Sequence, residues 1–474
     1  MITETPRWPE RGWVLIALVG WCGLAEAADW PTYRHDNRRS GITTEQLSTA
    51  DLKPLWTFHS ASVPLMAFSG PAPRDFYNSP TKDLKPRMDF DRVFNVAVVD
   101  DRVYFGSSAE DAIYCLDGRS GKVNWVYITD GPVRLAPSCH GGNVYAGSDD
   151  GHVYCLDGQK GTLIWKRRIA DSDYRVPSDG KFISLWPVRS GIVINRGILY
   201  CGAGFLPSET TYLAALDAKS GGLDRAGTWK HSRSGELSLQ GYLLASNDRL
   251  YVPAGRSPPY IFDRASGKLQ GQIKGGGGTY CLLDDDARLI YGPSRSGGLE
   301  LTDAAAQNTV VTFDGNHLIV ADGVSYLHSD TELRALDRRR YHELTAARIK
   351  TDSRRSTLSS EIKKFGKDVT SDKAKALIAQ MRDAQLESAR VARDLPKTLK
   401  WKVSCRHPHS LIFAGNTLFA GGSNTVAAYS STDGKLIWEA PVSGNAFGLA
   451  VANRKLYVST DNGKIHAFGV NQER

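Results

Sequence analysis

The chain has 474 residues, 41% of them hydrophobic, with 46 glycines and a formal net charge of +8. That apolar share is ample for a packed core and excludes a disordered chain, and so many glycines suit a fold made of turns. The positive charge does not describe the chain as a whole, because nearly all of it sits in one segment.

At the N-terminus, Arg7 and Arg11 flank the start of an apolar run from Trp13 to Leu24, and Ala25-Glu-Ala27 offers a small-x-small cleavage site. This pattern predicts a signal peptide over residues 1–27, cut before Ala28; the run is too short to span a bilayer comfortably. Trp21 is too bulky for lipoprotein processing at Cys22. The mature protein is therefore expected in the periplasm or outside the cell, with no transmembrane segment left after cleavage. Residues 28–95 follow as a ring-closing strand and a Pro-rich loop. Leu55-Trp-Thr-Phe58 has the character of the last strand of a sheet whose earlier strands are missing, and Pro64 to Asp91 of a long loop over one face.

A repeat then dominates residues 96–468. Tyr-Cys-Leu-Asp-Gly occurs at Tyr114 and again at Tyr154, and Asp117/Asp157, Gly121/Gly161 and Trp125/Trp165 are each 40 positions apart. Short strands separated by Asp-Gly-x-x-Gly turns at that period are the unit of a β-propeller blade. Further units run over Val188 to His231, Gly241 to Lys274, a degenerate Thr279 to Phe313 without a Trp, His317 to Asp337, and Leu411 to Val442. The last unit ends at Phe468 and lacks its outer strand. Leu55-Trp56-Thr57 is expected to supply it, which would remove the exposed edge of an open array. The expected fold is all-β: an eight-bladed β-propeller closed by an N-terminal strand, monomeric, with an α-helical insertion in the sixth blade.

That insertion spans residues 338–397 and holds 16 Lys/Arg against 8 Asp/Glu. Arg338 onward is helical in character. Ser356 is expected to cap a short helix stopped by Gly366, and Ser371 a longer one from Asp372 to Leu395. A solvated helical hairpin and a docking arm for an acidic surface both suit it; export argues against nucleic acid. The six cysteines after the signal (Cys115, Cys139, Cys155, Cys201, Cys281, Cys405) contain no CxxC and are expected mainly as small buried residues between blades.

The Asp-x-x-x-Gly-x-x-x-Trp pattern at Asp117–Trp125 and Asp157–Trp165, with a variant ending at Trp438, resembles the tryptophan-docking repeat of the pyrroloquinoline-quinone (PQQ) propeller superfamily, the quinoprotein alcohol dehydrogenase-like repeats. The chain is closest in style to the non-catalytic eight-bladed outer-membrane assembly factors. The resemblance implies two functions: a binding or assembly scaffold with no cofactor, or a PQQ- and calcium-dependent dehydrogenase of an alcohol or sugar. The vicinal cysteine pair that the dehydrogenases carry is absent here, and no catalytic residue or metal ligand set stands out. Positions just before each inner strand should line the funnel. They include Arg134, Arg189, His407 and His409, the candidate ligand-binding residues, whose cations would suit an anion. The alternative is that Arg134 and Arg189 pair with nearby carboxylates or face water. A protein partner is expected on the funnel face or the basic insertion.

Overall fold

The computed structural model describes residues 28–68, 88–178, 180–206, 208–235, 237–293, 298–303, 307–366 and 370–470. The expected signal peptide and the middle of the Pro-rich loop lie outside them. The chain is mostly β. Six four-stranded antiparallel sheets follow one another at 97–128, 138–168, 193–234, 244–272, 280–313 and 317–404, each with its strands in sequence order. A seventh sheet of eight strands holds two such four-strand sets, which share the long strand Leu436–Ala452. Four-stranded sheets of this kind are consistent with propeller blades.

The strand pattern follows from where each strand lies. Ala112–Asp117 is the third of its sheet and is covered on both faces, so Ile113, Cys115 and Leu116 are all fully buried. The fourth strand, Val123–Ile128, is half exposed and turns Trp125 inward. The turn between them is built by Asp117, whose Oδ1 accepts the amides of Arg119 and Ser120 at 3.1 and 2.7 Å. Gly121 then takes a positive φ of 70°.

Each tryptophan of the pattern reaches the turn of the next sheet. Trp125 Nε1 donates to Gly158 O at 3.1 Å and its ring covers Gly161, where a Cβ would come within 2.4 Å. Trp165, Trp229 and Trp401 do the same to the carbonyls of Ala218, Arg264 and Ser431. The N-terminal strand Lys53–His59 pairs antiparallel with the last strand, Lys464–Gly469, with Trp56 opposite Ala467. From there Trp56 donates to Gly118 O of the first sheet at 3.2 Å.

The segment before that strand touches nearly every inner strand. Trp30 exchanges both backbone bonds with Val98, Pro31 O accepts the Cys139 amide, and Asn37 O accepts that of Ala245. Asn37 Nδ2 donates to Ile194 O, Arg38 O accepts the Leu283 amide, and Ile42–Thr43 pairs in parallel with Phe413 and Ala414. Arg39 is fully buried and donates to the carbonyls of Leu243 and Ile192 at 2.9 and 3.0 Å and to Thr32 Oγ1 at 2.7 Å. Burial, only partly offset by Tyr242 and Asp36, lowers its pKa to about 10.

The insertion is a pair of helices, α1 (Arg338–Lys363) and α2 (Asp372–Asp394), between the third and fourth strands of the sixth sheet. Asp337, the residue in the place of the turn aspartate, caps α1 through the Arg340 amide at 2.9 Å. Ser371 caps α2 as expected, accepting from the Ala374 amide. Ser356 caps nothing: α1 runs unbroken through it.

Candidate functional site

Arg134 and Arg189 precede the inner strands of the second and third sheets, and both converge on one carboxylate, that of Asp149. Arg134 Nε donates to Asp149 Oδ2 at 2.6 Å, and its Nη1 donates to Asp91 Oδ2 at 3.1 Å. Arg189 grips Asp149 in bidentate fashion, both bonds at 2.9 Å. All four side chains are at most 3% exposed. Burial alone would push the Asp149 carboxyl up; Arg189 and Arg134 overcome it and hold it below the ordinary range. The cluster sets two guanidiniums against two carboxyls; burial raises the pKa of Asp91 even beside Arg134. It is roofed by the excursion after the N-terminal strand: Ala67 donates its amide to Asp91, and Phe68 stands with Phe205 over the Arg189 guanidinium.

The two histidines part company. His407 is fully buried in the loop that enters the seventh sheet, where its Nδ1 meets Tyr429 OH at 2.7 Å and its Nε2 meets Thr425 Oγ1 and Glu439 Oε1 at 2.7 and 2.9 Å. His409 lines a cavity of about 300 Å³ together with Tyr242, Tyr280, His317 and Phe447. Tyr33 of the N-terminal segment stacks on Tyr242 with ring centroids 3.6 Å apart. The charged residues of its wall are mixed in sign: Asp89, Asp330 and Arg92, the last lying over the Phe447 ring at 5.0 Å. Burial, reinforced by Arg92, keeps His409 below its ordinary pKa.

These residues do not fit a tricarboxylate quinone with its calcium ion. The guanidiniums that would receive its carboxylates are already bonded to Asp149 and Asp91 beneath Ala67 and Phe68, and the cavity offers acids as well as cations. Among the described residues no three His, Cys, Asp or Glu side chains are grouped to hold a metal ion. The six cysteines after residue 27 are free thiols, five of them buried.

A second feature of this face escaped sequence reasoning. The stretch before Arg189 is a two-stranded hairpin, Arg175–Ser178 with Lys181–Ser184, fixed to the first sheet by Lys181 Nζ donating to Ala109 O at 2.7 Å. Its flanks present Phe182 and Tyr174 to solvent, 68% and 61% exposed. Alternation over four residues with a turn between was the available signal.

The family profile described as outer membrane protein assembly factor BamB matches residues 46–340 and 388–473. No curated protein sequence matches. Among solved structures, quinohemoprotein alcohol dehydrogenase from Comamonas testosteroni superposes with a TM-score of 0.58 at 12% identity, over 95% of this chain and 82% of that one. A quinohemoprotein alcohol dehydrogenase from Pseudomonas putida HK5 gives 0.56 at 12%, over 94% and 81%. BamB from Moraxella catarrhalis gives 0.49 at 15%, over 81% and 97%. At such identities the dehydrogenase likenesses show the fold alone and nothing about activity.

Proposed function

Because this chain belongs to the family of outer membrane protein assembly factor BamB, we propose that it is an exported, non-catalytic scaffold that holds a protein partner on its funnel face during outer-membrane assembly. In this reading the two four-strand sets of the last sheet are separate blades, giving eight, and Lys53–His59 closes the ring. The observation that carries the reading is the buried cluster in which Arg134 and Arg189 are bonded to Asp149 and Asp91. A funnel that spends its two buried guanidiniums on its own carboxylates under an internal roof is built for rigidity. The competing function, a PQQ- and calcium-dependent dehydrogenase, draws support from fold alone.

The partner's place is the rim near the hairpin. Phe182, Tyr174 and Val63 are 68%, 61% and 58% exposed, and large exposed apolar groups on one rim mark protein contact surfaces. No helix among the described residues is long and apolar enough to cross a membrane. The test uses the mature chain and its Tyr174→Ser/Phe182→Ser variant as bait in detergent extracts of outer membranes. Wild type is expected to retain an assembly partner that the variant loses. Recovery of no partner by wild type contradicts the scaffold, and equal recovery by the variant contradicts the rim site.

A further inference from the structure

Helix α2 buries Ala374, Ala384 and Val391 toward α1 and leaves its opposite side bare. At 100° per residue, Lys375, Ile378, Arg382, Leu386, Arg390 and Arg393 fall on that bare side, and all six are exposed. The strip is about 27 Å long, has four cations with one acid, Asp372, a turn before its first cation, and sets Ile378 and Leu386, 43% and 62% exposed, between the charges. Asp383 and Glu387 lie off to one side of it. The ion pairs its cations make, to Asp372, Glu387 and Asp394, are long (3.7–3.8 Å) and the cations in them are exposed, so they neutralise little.

The hairpin is held to the sheets at its base. Arg338 bonds Asp284, Asp285 and Asp286 at 2.9–3.0 Å, Tyr341 OH donates to Thr312 O, and Arg348 donates to Thr312 Oγ1. The family profile skips residues 341–387, so this arm is an addition to the repeat.

We propose that this strip docks on an anionic lipid surface, with Lys375, Arg382, Arg390 and Arg393 meeting headgroup phosphates and Ile378 and Leu386 settling between them. Charge complementarity selects the occupant. Cations of one sign along a straight line, with aliphatic side chains between them and no amide or hydroxyl among them, match a plane of repeated phosphates over an apolar layer. They carry no hydrogen-bonding address for one particular protein. The contact is peripheral, and it stands independently of the scaffold proposal because no assembly partner enters its test.

The test is co-sedimentation of the full mature chain with vesicles of three parts phosphatidylcholine to one part phosphatidylglycerol, and with phosphatidylcholine vesicles. Binding is expected on the first only, falling at least about tenfold in Arg382→Glu/Arg390→Glu and weakening in Ile378→Ser/Leu386→Ser and at high salt. The substituted positions are exposed, and unchanged thermal melting checks that the variants fold. Equal binding to both vesicles, no loss in the charge-reversal variant, or no binding to the anionic vesicles overturns the proposal. In the last case, capture of poly-glutamate through the same cations would assign the strip to an acidic protein instead.

Discussion

His466 sits between segments far apart in the chain. Its Nε2 accepts the Ser443 amide at 3.4 Å, which leaves the proton on Nδ1 to donate to Thr57 Oγ1 at 3.0 Å. Burial first and Lys464 second depress its pKa to about 4. A depressed histidine binds its proton more readily when unfolded, so this stabilisation is full above about pH 6.5 and is lost as pH falls toward 4. At most about 3 kcal/mol is at stake. Urea unfolding at pH 7 and pH 4 should therefore show a smaller pH-dependent loss in His466→Gln than in wild type; equal losses would refute the assignment. Asp149→Asn should cost about 3–5 kcal/mol in the same assay, because it takes the buried Arg189 guanidinium's carboxylate away and leaves Arg134 with Asp91 alone. A cost below about 1 kcal/mol would show the pairs to be dispensable. Arg134 and Arg189 were legible as cations on one face. Asp149 was not, because an Asp-Asp-Gly turn reads alike whether its side chain meets water or the interior.

At the scale of elements, the tryptophan-to-turn contact is the recurring joint, and the sequence displayed it openly. Gly161→Ala would set a Cβ 2.4 Å from the Trp125 ring at a backbone φ of +68°. A loss of about 2–4 kcal/mol is expected by denaturant unfolding. A neutral effect would mean the indole does not seat there. The fourth and fifth sheets lack a tryptophan, and the sixth has α1 in place of its turn. There Tyr341 of α1 stacks on Phe313 of the fifth sheet at 5.4 Å, so the contact is made from the other side. The helices were legible in kind and misjudged in extent. The middle of α1 is rich in Ser and Thr, which usually favour caps. Here Thr357 and Ser360 bond back to the carbonyls of Ser353 and Ser356, so the helix continues.

At the scale of the molecule, the least legible element is the most connected. Residues 28–43 have neither strand alternation nor helical spacing, yet they meet inner strands across the sheets, with Arg39 at the centre of the polar contacts. A segment whose order comes from long-range bonds leaves no local pattern. Arg39→Met would orphan several buried acceptors and should lower stability by at least about 3 kcal/mol, seen as a fall in melting temperature with one transition kept. No fall would remove the segment from the stabilising core. The repeat defined the fold; function rests on whether the funnel keeps its charges for itself. The most direct measurement is a titration of the mature chain with PQQ and Ca²⁺, followed by absorbance and dye-linked alcohol oxidation. Guanidiniums already paired within the fold predict no saturable spectral change and no turnover. Stoichiometric binding with turnover, abolished by Arg134→Ala and Arg189→Ala, would contradict it.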